Sequence, residues 1–207
     1  KVLFDFINNE LLEKIKIKKN KFWHDFSKTL HELNPINIYG YSKLKGENLA
    51  IQYPGTIILR TSWLYSQVGH NFVLTMLRLM QERNEIGVVS DQVGSPTFVN
   101  SLAQVCWALA WDRDARGIFH WSDLGEISWY EFARAIAEEA FDLGLISNLV
   151  SVKPIMAVDY PSPARRPSYS ALDASLTCEK IGIPQVPWRQ ALRRMLCLLK
   201  SRSMEMD

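Results

Sequence analysis

Tyr39 and Lys43 lie four positions apart, the spacing that stacks two side chains on one face of a helix. A phenol with its ordinary pKa near ~10 is a poor acid–base catalyst at neutral pH, but a neighbouring ammonium favours the phenolate and brings proton transfer within reach. Such a pair can exchange a proton with an oxygen of a bound ligand. Spacing alone is weak support, because Tyr41 and Lys45 repeat it two residues on. Anion binding is the second chemistry on offer. Arg165 and Arg166 sit between Pro163 and Pro167, where prolines restrict the loop and planar guanidinium forks suit diphosphate oxygens. The same arginines could equally be a solvated pair. Cys106, Cys178 and Cys197 are far apart and share no ligand spacing, and neither His70 nor His120 has a partner at metal-binding spacing. No metal site is expected.

The elements that must carry these residues follow from hydrophobic period and punctuation. Asn34-Pro35 reads as a turn, residues 39–53 as a helix and residues 56–60 as a buried strand. Residues 71–83 place Phe72, Val73, Met76, Leu77 and Met80 at helical spacing. A short strand over 85–90, a loop over 91–97, a helix over 99–111 and a strand over 117–121 come next. Ser128-Trp129-Tyr130-Glu131 has the pattern of a capping box and opens a further helix. Residues 162–167 form a rigid basic loop, and residues 188–199 a final amphipathic helix. Alternation of helices with strands favours an α/β architecture with a mainly parallel sheet. Residues 7–21 show no clear apolar face and read as a solvated, charged excursion, with a short helix as the other possibility.

Bulk properties narrow the partners. Of the 207 residues, 47% are hydrophobic and 22% charged, with a net charge of +2, an ordinary globular balance that announces neither a nucleic-acid nor a membrane partner. A small anion needs only a local basic site. No apolar run approaches the ~18 residues of a membrane span, the start lacks a signal-peptide core, and the odd cysteine count suits a reducing compartment. A cytoplasmic protein is expected. The basic residues sort by type, with nine of twelve lysines at or before Lys45 and every arginine at or after Arg60. That shift marks a compositional boundary.

The string Asn34-Pro35-Ile36-Asn37-Ile38-Tyr39-Gly40-Tyr41-Ser42-Lys43-Leu44-Lys45-Gly46-Glu47 resembles the N-P-x-N-x-Y-G-x-S-K-L-x-G-E segment of the extended short-chain dehydrogenases/reductases. In that register Tyr39 and Lys43 match the catalytic pair, while Tyr41 and Lys45 fall on variable positions. Further segments are similar to the dTDP-4-dehydrorhamnose reductase family: Ile58-Leu59-Arg60-Thr61-Ser62-Trp63-Leu64-Tyr65, Gly69-His70-Asn71-Phe72 with Met76-Leu77-Arg78, Ser90-Asp91-Gln92-Val93-Gly94-Ser95-Pro96-Thr97 and Pro163-Ala164-Arg165-Arg166-Pro167. Together they span roughly residues 34–199.

The resemblance implies a partial Rossmann-like parallel sheet with a smaller α/β substrate-binding region. It divides the chain into an atypical lysine-rich segment (1–33), the end of a dinucleotide-binding domain with the Tyr-Lys helix (34–66) and a mainly nucleotide-sugar-binding region (67–207). It also implies reduction of dTDP-4-dehydro-L-rhamnose with NADPH or NADH. Tyr39 and Lys43 would be catalytic and would touch the cofactor, while Trp63, Asn71, Arg165 and Arg166 would hold the substrate. A homodimer, and Mg2+ as found in some relatives, are further implications. Trp63 could otherwise be core, Asn71 a helix cap, and Asp91-Gln92 turn chemistry.

One departure limits the expectation. The family binds cofactor pyrophosphate with a glycine-rich loop at a helix N-terminus, whereas no glycine precedes Gly40 here. Turnover by this chain alone is therefore not expected. The alternative is a non-catalytic binding or regulatory module, since Gly117-Ile118-Phe119-His120-Trp121-Ser122 is also similar to the regulatory subunit of methionine adenosyltransferase.

Overall fold

The computed structural model describes residues 33–160, 162 and 164–204. The lysine-rich segment, apart from Leu33, and the charged stretch 7–21 lie outside them. The described residues fall into two compact units, one of residues 33–59 with 106–119 and the other of residues 60–105 with the described residues from 120 onward.

The first unit carries helix α1 (Ile38–Ala50). Asn37 starts it from an extended backbone, its side-chain oxygen accepting the Gly40 amide at 2.7 Å, which satisfies one of the donors a helix N-terminus leaves open. The helix stops at Ala50 instead of the expected residue 53. Pro54 disfavours the helical conformation at Tyr53, and the Ala50 carbonyl is taken by the Tyr53 amide and the Thr56 hydroxyl. Strand β1 (Ile57–Thr61) follows and pairs with β6 (Gly117–Trp121).

Most of the core belongs to the second unit. Short strand β2 (Leu64–Tyr65) leads to helix α2 (Phe72–Glu82), which buries Val73, Met76, Leu77 and Met80 on one stripe. Strand β3 (Glu85–Val89) comes next. The loop foreseen over 91–97 contains two short strands, β4 (Val93–Gly94) and β5 (Thr97–Phe98), and helix α3 (Val99–Trp111) follows. Strand β7 (Ile127–Ser128) opens α4 (Trp129–Asp142) through the complete Ser128–Glu131 capping box. Strand β8 (Ser151–Ile155), a 3-10 turn (Ala157–Asp159), α5 (Ser175–Ile181) and α6 (Trp188–Met204) complete the order.

Strands β2 with β5 and β3 with β8 pair in parallel, and β4 with β7 antiparallel. The architecture is α/β with parallel pairs, divided among two-stranded sheets. Leu192, Met195 and Leu196 of α6 and Phe132, Ala133, Ile136 and Ala140 of α4 are buried in one cluster with the α2 stripe. Complete burial of each large apolar side chain contributes about 1.5–3 kcal/mol. Strand β8 and helix α5 were not legible beforehand. Pro154 interrupts β8, and proline inside an apolar run argues against a strand unless it lies on an edge; α5 has only seven residues and no side-chain cap.

Candidate functional site

Helix α1 presents both Tyr-Lys pairs in the same way. The Lys43 ammonium lies 5.3 Å from the centre of the Tyr39 ring, and that of Lys45 lies 4.9 Å from the Tyr41 ring. Tyr39 is 70% exposed, so its hydroxyl is open to a ligand. Geometry within the helix does not separate the pairs; the register of the surrounding motif does. That motif has a local physical basis. Asn37 caps the helix, and a side chain on Gly40 would place its first carbon 3.1 Å from the Pro35 ring, so proline, asparagine and glycine jointly set the start of the turn that carries Tyr39.

Trp63 follows β1 in the second unit. It has φ +45°, the only positive φ at a non-glycine residue among those described, in a region that costs an ordinary residue about 1–3 kcal/mol. Neighbours compensate. The Trp63 carbonyl accepts the Thr97 amide at 3.1 Å, and the adjacent Ser62 hydroxyl donates to the Ser95 carbonyl at 2.7 Å. The indole stacks on Trp129, with ring centres 3.5 Å apart and planes 9° from parallel. Trp129 in turn leans on Phe72 at 4.6 Å, and Phe72 on Phe132 at 5.6 Å. Trp63 is thus the partly exposed end of an aromatic column rooted in the core.

Gly94 lies against the edge of the same indole. A side chain there would come within 2.5 Å of Trp63 Cε2 and 2.7 Å of Ser170 Oγ. Trp63 and the return of the arginine-bearing loop therefore meet at β4. Arg165 and Arg166 are exposed in that loop. Its later part is bound to β4 by the Val93 amide donating to the Ser168 carbonyl and the Ser170 amide donating to the Val93 carbonyl, each at 2.8 Å. Asn71 caps α2 by accepting the Leu74 amide at 3.2 Å, and its amide nitrogen donates to the Ser66 carbonyl at 2.9 Å. Its polar atoms thus serve its own loop and helix.

Sequence reasoning did not single out Asp123 or Trp129. Asp123 is fully buried and accepts the Phe98 amide at 2.8 Å and the Ser101 hydroxyl at 2.7 Å. Burial pushes its carboxyl up to about 6, against the lowering effect of those two donors. Burial, and then the charge of Asp123, push the Tyr65 phenol upwards as well. A lone aspartate after an apolar strand was the available signal for this group, but nothing in the sequence shows that its environment closes over it. Trp129 stood inside the capping box, where its ring contacts could not be read.

The exposed phenol and ammonium on one face of α1 offer a hydrogen-bond donor and acceptor set to a polar ligand. Among the described residues no three His, Cys, Asp or Glu side chains come together to hold a metal ion. No helix among them is long and apolar enough to cross a membrane.

Residues 19–201 match the family described as RmlD substrate binding domain. A dTDP-4-dehydrorhamnose reductase of Aggregatibacter actinomycetemcomitans is 39% identical over 169 residues, covering 79% of this chain and 58% of the relative. A crystal structure of the dTDP-4-dehydrorhamnose reductase of Bacillus anthracis in complex with NADP superposes with a TM-score of 0.69 at 38% identity, over 79% of this chain and 56% of that one. The corresponding reductase of Clostridium acetobutylicum gives a TM-score of 0.73 at 38% identity, over 82% of this chain and 58% of that one. The chain thus spans little more than half the length of the relatives it matches.

Proposed function

The chain belongs to the RmlD substrate binding domain family, and from that premise we propose that it supplies the proton donor and sugar-nucleotide site for the NAD(P)H-dependent reduction of dTDP-4-dehydro-L-rhamnose to dTDP-L-rhamnose. The observation that carries the proposal is that Trp63 and the segment just after Arg165 and Arg166 both pack on β4, the first against Gly94 and the second through Ser168 and Ser170. Relatives named as this reductase, one of them in complex with NADP, support it. In this reading residues 34–66 close the cofactor domain and residues 67–207 mainly hold the substrate.

Tyr39 gives its hydroxyl proton to the C4 oxygen of the keto-sugar, so that the carbonyl becomes an alcohol and the phenolate is reprotonated from solvent. The bound nicotinamide cofactor, when present, supplies the hydride. Lys43 holds a positive charge beside the phenol and donates to the ribose hydroxyls. The Trp63 ring packs on the deoxysugar, and Arg165 and Arg166 meet the diphosphate in the forked geometry guanidinium favours. No residue is assigned to the cofactor pyrophosphate; weak NADPH binding and no turnover by the 207-residue chain alone belong to the same proposal.

The test joins this chain to the nucleotide-binding half of the Bacillus anthracis reductase and follows NADPH oxidation with the keto-sugar. Loss of a positioned general acid costs about 10²–10⁴ in rate. Tyr39→Phe is expected to lose at least about 100-fold, with Tyr41→Phe staying close to the parent. The reverse order, or a joined protein that oxidises no NADPH, contradicts the proposal.

A further inference from the structure

The four residues Ser90 to Val93 hold both ends of the loop that carries the arginines. At the entry, the Ser90 amide donates to the Ile155 carbonyl at 2.9 Å, and the Asp91 carboxylate accepts the Ala157 amide at 2.9 Å. At the exit, Val93 exchanges backbone hydrogen bonds with Ser168 and Ser170. The contacts of Val93 are made by its main chain, while Ser90 adds a side-chain bond to its backbone one, its hydroxyl donating to the same Ile155 carbonyl at 3.2 Å. The contact of Asp91 needs a side-chain oxygen at one atom's position. It reaches a residue 66 positions away, which local turn chemistry does not require.

We infer that Asp91 is a positioning residue: it fixes the start of the loop that bears Arg165 and Arg166, and through that loop it sets the affinity for a nucleoside diphosphate. The ligand rests on the sugar-nucleotide reading above; the tether does not. Asp91 acts here as an acceptor and not as a charge, so asparagine, which keeps an oxygen at the same place, preserves the tether. Alanine removes it. Asp91 is exposed, and neither change disturbs the core.

The experiment compares the unaltered chain with Asp91→Ala and Asp91→Asn in two readouts. Amide hydrogen exchange over residues 157–160 is expected to quicken about tenfold in the alanine variant, as for loss of one hydrogen bond, and to stay unchanged in the asparagine variant. Calorimetric titration with dTDP is expected to show about tenfold weaker binding for alanine, with asparagine within about threefold of the parent. Equal losses for both variants would mean that the carboxylate meets the ligand by charge, and overturn the inference. Unchanged exchange in the alanine variant overturns it too. A parent chain that takes up no dTDP removes the sugar-nucleotide reading, while the exchange readout still decides the tether.

Discussion

Trp63 shows how much a single residue owes to partners distant in sequence. Its place after a strand and its neighbours in a motif were readable, and left it either core or ligand-facing. The structure makes it the end of a stack whose second member, Trp129, lies 66 residues later, a contact no local pattern encodes. Gly94 was readable as part of a turn-rich loop, but its reason is the indole edge, since a methyl group there would lie 2.5 Å from Trp63 Cε2. Gly94→Ala must displace the ring or the strand. We expect it to cost about 1–3 kcal/mol of stability, as overpacking does, and to weaken binding of dTDP-L-rhamnose more than binding of dTDP, because only the former carries the deoxyhexose that the proposal sets against the ring. Thermal unfolding and paired calorimetric titrations check this. Equal weakening of both ligands would separate the stack from sugar recognition.

Among the elements, the helices opened by Asn71 and by Ser128 with Glu131 were the most legible, because these caps announce a helix start in local chemistry, whereas the Asn37 cap of α1 was not read. Strand β8 escaped because proline breaks its pattern, and the end of α1 was overextended because the competing bonds to the Ala50 carbonyl arise from the following turn. Side-chain pairing between helices was equally invisible. Glu139 of α4 is buried and joins Arg189 of α6 at 2.9 Å and Arg193 of the same helix, while Glu138 meets Arg189 at 2.7 Å. Burial opposes ionisation of Glu139, but the two guanidinium groups outweigh it and hold the carboxyl below its ordinary value. A depressed carboxyl contributes stability above the unfolded value near ~4.3 and loses it as pH falls through the folded value. Glu139→Gln should therefore flatten the acid limb of a stability–pH curve and cost about 1–2 kcal/mol at neutral pH, with the half-exposed arginines limiting the loss. Chemical denaturation across pH 3–7 measures both, and an unaltered acid limb would contradict the pairing.

At the scale of the whole molecule, balanced charge and α/β alternation were legible from composition and period, whereas the pH response of the second unit was not, because it depends on what the fold buries. Asp123 has the opposite sign to Glu139. Its folded value, pushed up to about 6, lies above the unfolded value near ~3.9. The stability tied to its neutral form is thus fully present below ~3.9 and is lost as pH rises through about 6, on the order of 2–3 kcal/mol. Asp123→Asn should remove that decline between pH 4 and 7, leaving the acid limb set by Glu139 in place; a decline that persists in the variant would assign it to another group. These groups govern folding, while the functional account rests on the scaffold that β4 builds from Trp63 and the arginine-bearing loop. Titrating the chain with dTDP-L-rhamnose in a calorimeter, alongside the Arg165→Ala/Arg166→Ala double variant, decides whether that scaffold binds a sugar nucleotide. Stoichiometric binding is expected, weakened at least about tenfold in the double variant. No binding by the unaltered chain, or equal binding by both, would contradict the account.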